Sequence, residues 1–227
     1  MTGALAAQLK ARDRERWLAV LWAPAVARPS LLALHSYDLE QARIVAEAKE
    51  PILGEIKLAW WRERLLALAQ GVAPPAEPIL AALATHAIPR GVDMQALAAL
   101  EDGLQPLLQD EPLDAEMIAS ARGGPLFVAL AQALAGGAVE QQDADAAQAA
   151  GARFGLAQLW RGSWGNAAQR IAPFTPPLAG APIAALPGHL RGLLALAEDD
   201  LALVASRKPL AIAATAGRQW RLARAAF

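Results

Sequence analysis

The chain has 227 residues, of which 55% are hydrophobic, with 21 Lys and Arg against 22 Asp and Glu. A net charge of -1 supplies no field for a polyanion, and the arginines are scattered rather than gathered in a stripe, so nucleic-acid binding is set aside. Zero cysteines exclude a disulfide framework, a thiolate zinc site and a thiol nucleophile, and fit a reducing compartment.

The length suits one sizeable core, and the apolar residues are mainly alanine and leucine, which favour helix over strand. A single all-α domain over residues 1–227 is the expectation. The first stretch, "MTGALAAQLKARDRERWLAVLWAP", lacks the basic-then-apolar order of a secretory leader, and no run of about eighteen uncharged apolar residues occurs. A cytoplasmic location is expected, with peripheral contact at the inner face of a membrane as an option.

In chain order, a first helix is predicted over 3–22, stopped near Pro24, and a second over 30–50, opened by Ser30. Pro51 opens a third helix that Gly71 closes. Shorter helices follow at 77–87, 93–109 and 114–122, and "GGPLFVALAQALAGG" reads as a separate helix between glycine pairs. A longer one covers 142–169. The stretch 172–188 is a proline-rich connection, and helices at 188–206 and 209–226 complete the chain.

The segment "LLALHSYDLEQARIVAEAKEPILGEIKLAWWRERL", with Glu50-Pro51, Gly54-Glu55-Ile56 and Trp60-Trp61-Arg62, resembles the squalene/phytoene synthase family, most closely a degenerate branch that includes a mitochondrial complex I assembly factor. "ASARGGPLFVALAQALAGG" and "GARFGLAQLW" are similar to later family landmarks. The resemblance covers about 15–170 and fades after 171. It implies an isoprenoid-synthase-type helical bundle around a central cavity, with head-to-head prenyl diphosphate transfer by the catalytic members.

That reaction requires two aspartate-rich motifs facing each other, because magnesium takes hard oxygen ligands while it neutralises the departing diphosphate. Carried over by position, the first motif falls on Ala42, Arg43 and Ala46, so every aspartate is replaced. Glu40 and Glu47 lie on the same helix about 10 Å apart along its axis, too far to share one ion. The second motif falls near Asn166, Gln169 and Arg170, and no Asp or Glu occurs between Asp145 and Glu198. No cofactor is therefore expected, and magnesium only if the family activity were retained. The "EDD" of Glu198 to Asp200 reads as a solvated face.

The candidate ligand contacts are Arg43, Trp61 and Trp160, with no catalytic and no metal residue assigned. Each has a plainer reading: Arg43 pairs with Glu40 or Glu47 at helical spacing, and the tryptophans pack in the core. His35, His86 and His189 are too scattered to suggest a metal site or a base. "GRQWRLARAAF" is a basic amphipathic helix that either docks on the fold or lies on an anionic membrane. Three functions remain. The favoured one is a non-catalytic binding or assembly protein acting on a respiratory complex or an isoprenoid enzyme. The others are an isoprenoid or lipid carrier and an active prenyltransferase with an atypical site.

Overall fold

The computed structural model describes residues 2–109, 112–162 and 186–227. Among these, every regular element is helical. The single helix expected over 3–22 is two, α1 (Thr2–Arg12) and α2 (Arg14–Trp22). The break is made by Asp13, whose carboxylate caps α2 by accepting the Arg16 N–H at 2.9 Å.

Next come α3 (Arg28–Glu47) and α4 (Pro51–Ala69), each with a proline in its first turn. Gly71, at φ 80°, ends α4 where only a glycine turns freely. A short α5 (Pro78–Ala82) widens into a π turn at Leu83–Ala87 and then tightens into a 3-10 turn at Ile88–Arg90. The helix expected over 93–109 is broken into α6 (Met94–Ala98), a 3-10 segment Ala99–Gly103 and α7 (Gln105–Leu108). Pro106 explains the last break, since it cannot donate into a preceding turn.

The chain then forms α8 (Ala115–Ala135), α9 (Gln141–Trp160), α10 (Gly188–Ala205) and α11 (Ala216–Ala226). Residues 163–169, predicted to extend α9, and most of the proline-rich 172–188 lie outside the described residues. The helix expected over 209–226 begins only at Ala216, capped by Thr215.

The largest departure from the sequence reading is α8. The glycines and Pro125 mark a boundary in the sequence, yet the helix runs through them. An interior proline costs a helix about 3 kcal/mol, and the offset is packing that only glycine permits. A Cβ on Gly123 would overlap the Gly151 carbonyl oxygen in α9, one on Gly124 would overlap the Gln148 side chain, and one on Gly155 would lie 2.7 Å from the Ala119 carbonyl oxygen. Thus α8 and α9 meet backbone against backbone, in the most extensive helix–helix contact of the fold. α3 lies on α8, α10 on α9, and α2 and α11 cover α10. α8 is also the one described helix long and apolar enough to cross a membrane, but most of it is buried as the core of this bundle.

Candidate functional site

The inner face of α3 is set by residues three and four apart: Leu31, Leu34, Asp38, Ala42 and Val45, all buried. Its other side carries Glu40, Arg43 and Glu47. Ala42 therefore faces the core, 4% exposed, while Ala46 faces solvent. Arg43 lies between its two glutamates. Its Nε and Nη2 donate to Glu40 at 2.9 and 2.5 Å, and its Nη1 donates to Glu47 at 2.6 Å. These hydrogen bonds, those to Glu40 first, raise the guanidinium above its ordinary pKa. All its donors are directed along its own helix.

Beneath this surface the space is occupied by charge. Asp38 is 2% exposed and sits between Arg16 of α2 and Arg122 of α8, which are 1% and 0% exposed. Arg16 Nη1 donates to Asp38 at 2.5 Å, and Arg122 Nη2 donates both to the Asp38 carboxylate and to its carbonyl oxygen, the latter at 2.8 Å. Arg16 also pairs with Asp13 at 3.0 Å and lies over the Phe154 ring, 5.0 Å from its centroid. Burial alone would push the Asp38 carboxyl up, but Arg122 and Arg16 outweigh it and hold Asp38 below the usual carboxylate range. The cluster joins α2, α3 and α8 and stacks on α9.

A second cluster joins the later helices to α2. Arg218 donates to Glu15 at 2.6 Å and to Asp200 at 2.7 Å, and Arg161 donates to Asp200 at 2.5 Å. This corrects the solvated-face reading of the acidic triplet. Asp200 is 1% exposed and Glu198 pairs with Arg153, because successive helical residues point about 100° apart and three cannot share one exposed face. His35 and His189, widely scattered in the sequence, are also brought together. The fold brings their Nε2 atoms to 3.0 Å, with both rings buried, so one donates its single proton to the other. Burial lowers both pKa values, that of His189 to about 4. No spacing in the sequence could have shown a pair separated by 154 residues.

Magnesium can be tested against these donors. Among the described residues no three His, Asp or Glu side chains gather as a metal site, and Asp38, Glu15 and Asp200 are each engaged by guanidinium groups. At the positions that the resemblance assigns to the first motif, alanine and arginine offer no oxygen ligand, so these side chains do not fit the ion. The second-motif positions lie outside the described residues.

The sequence model of the squalene/phytoene synthase family matches residues 9–172. The chain belongs to this family. No curated protein and no solved structure matches it.

As a squalene/phytoene synthase family member, the chain has the all-α isoprenoid-synthase-type bundle that the resemblance implies. Among the described residues the interior between α3, α8 and α9 is filled by the glycine contacts and the Arg16–Asp38–Arg122 cluster. Trp61 is 5% exposed and packs edge-on against Tyr37, with ring centroids 5.7 Å apart. Trp160 is half-buried at the end of α9 against the core. Arg43, Trp61 and Trp160 therefore occupy three separate settings.

Among the described residues, clefts open elsewhere. One, of about 420 Å³, is lined by Trp22, Pro24, Leu134, Val139, Asp143 and His189. Another, of about 460 Å³, lies between Glu55 of α4 and Asp102, Gln105, Asp114 and Met117. Neither is lined by the three candidate residues.

Proposed function

We propose that this family member is non-catalytic and works as a binding or assembly protein. The observation that carries the reading is Arg43. At a position where the family reaction needs a metal-binding carboxylate, a guanidinium is held between Glu40 and Glu47, and neighbouring Ala42 is buried. A cation there opposes assembly of a magnesium–diphosphate site, and its donors are already used along its own helix.

The outer face of α4 supports a binding role. Ile52, Leu53, Ile56 and Trp60 are 54%, 50%, 59% and 39% exposed along the outside of the helix, while Leu58, Trp61 and Leu65 face the core. Contiguous apolar residues of this kind on a folded surface mark interaction sites. The partner class favoured by the family branch is another protein, a respiratory complex or an isoprenoid enzyme, met in the cytoplasm. The buried Arg16–Asp38–Arg122 cluster, which places charge between α2, α3 and α8, works against the carrier reading.

The test is incubation of the full chain with farnesyl or geranylgeranyl diphosphate and magnesium. The expected result is no squalene, no phytoene and no release of diphosphate above the blank. Product formation by the parent chain that chelation of magnesium abolishes would overturn the non-catalytic reading.

A further inference from the structure

α11 is turned the opposite way to an ordinary surface helix. Its inward side carries an arginine: Arg218, 7% exposed, is tied to Glu15 and Asp200, and Leu222 beside it is fully buried. Its outward side carries aromatics. Trp220 is 71% exposed and Phe227 is 85% exposed. Positions 220, 224 and 227 follow the i, i+4, i+7 spacing of one helical stripe, so exposed Arg224 stands between the two rings. Gly217 lies on the same side, and a Cβ there would meet nothing within 4 Å.

The charge of this region has one sign. Residues 206–227 contain Arg207, Lys208, Arg218, Arg221 and Arg224, and no Asp or Glu. Arg218 is neutralised internally and Arg221 pairs with Asp199 at 3.1 Å. Arg207, Lys208 and Arg224 are exposed and have no carboxylate partner among the described residues. Ile212, 80% exposed, lies in the segment leading into α11. The outer face of α4 is also apolar, but Glu55, Lys57, Glu63 and Arg64 flank it with both signs, so its charge does not favour a lipid surface.

We propose that the outer face of α11 docks on an anionic lipid surface, with Trp220 and Phe227 at the headgroup boundary and Arg224 and Lys208 on negative headgroups. An interfacial helix needs an apolar face that reaches the acyl boundary and cations that meet lipid charge, and α11 presents both on one side. Trp22 lies beside Phe227, with ring centroids 6.4 Å apart and the rings tilted by 55°, and so adds to the aromatic surface at this end of the helix. The docking does not depend on whether the chain is catalytic.

The test is flotation of the full chain with vesicles of phosphatidylcholine alone and of phosphatidylcholine mixed with phosphatidylserine. The expected result is binding to the mixed vesicles only, released by high salt, with a blue shift of tryptophan emission that Trp220→Ala removes. Trp220→Ala should melt with the parent, since its ring is exposed. Lys208→Gln and Arg224→Gln should each weaken binding about fivefold, the worth of one cation near a charged bilayer. Failure to float with anionic vesicles would overturn the proposal. So would equal binding to both vesicle types, or a dimer that Trp220→Ala dissolves in the absence of lipid binding, which would assign the face to a second copy.

Discussion

Gly123 of α8 and Gly151 of α9 face each other so closely that a side chain on either would overlap the carbonyl oxygen of the other. This contact brings two helix backbones together in the most extensive helix–helix contact among the described residues.

The glycine contact predicts opposite signs for one substitution at two sites. Gly151→Ala should destabilise the fold by about 3 kcal/mol or more, because the obstacle is backbone and cannot rotate away. Gly217→Ala, where nothing lies within 4 Å, should stabilise it by about 0.5–1 kcal/mol through backbone entropy alone. Chemical denaturation of the two variants measures both. Equal effects would mean that α8 and α9 are not in backbone contact.

Asp38 predicts the acid response of the core. Replacing it with Asn leaves Arg16 and Arg122 buried against a neutral group and should cost about 3–5 kcal/mol. The carboxyl is held below its unfolded pKa of about 4, so the stability it contributes is present above that value and lost as pH falls through the folded pKa. Asp38→Asn should therefore be less stable at neutral pH and show a shallower loss on acidification below about pH 4. A variant whose acid limb parallels the parent's would refute the assignment.

The histidine pair acts in a higher window. Both imidazoles have folded pKa values below the unfolded value of about 6.5, so the unfolded chain binds more protons as pH falls and stability declines from about pH 6.5 downward. With His189 near 4, that residue alone should remove about 2 kcal/mol between pH 7 and pH 5. Melting curves of His189→Gln across this range should be flatter than the parent's. An unchanged slope would show that the ring is already solvated.

Helix existence was legible because its signals are local. The prolines at 51 and 78, Gly71, and the carboxylate cap Asp93 act within one turn. The continuity of α8 through Pro125 was not, because its cause is Gly151, which lies 28 residues beyond Gly123. The same limit applies at the candidate site. The pairs of Arg43 with Glu40 and Glu47 follow from i−3 and i+4 spacing, whereas Arg16, Arg122 and Asp38 come from three helices and look like ordinary scattered charges in the chain. Local periodicity also concealed Asp200, which differs from exposed Asp199 only by a rotation about the helix axis.

Arg218 should hold α11 through the geometry of its fork. Nε and Nη2 reach Glu15 while Nη1 reaches Asp200, an arrangement that a single ammonium cannot reproduce. Arg218→Lys keeps the charge but leaves at least one buried carboxylate short of a donor, so α11 should open locally more often. The measurement is hydrogen exchange, with protection expected to fall in 216–226 and at the Ala214 amide, which donates to the same Glu15. Protection lost evenly over the whole chain would indicate global destabilisation instead.

The last prediction contrasts two substitutions at the first-motif positions. Arg43→Ala removes a pair that is 40% exposed and screened by solvent, so it should cost less than about 1 kcal/mol. Ala42→Asp puts back the carboxylate that the resemblance implies but places it on the buried face of α3, at a position 4% exposed, where it has to be desolvated or protonated. It should cost about 2–4 kcal/mol without creating a metal site, since the companion ligands at 43 and 46 are still absent. Adding magnesium with farnesyl diphosphate should then leave the melting temperature of the parent and both variants unchanged, because a ligand that binds only the folded chain must raise it. A rise in the Ala42→Asp variant alone would show that the site is one carboxylate away from binding metal, contrary to the closed surface that Arg43 forms with Glu40 and Glu47.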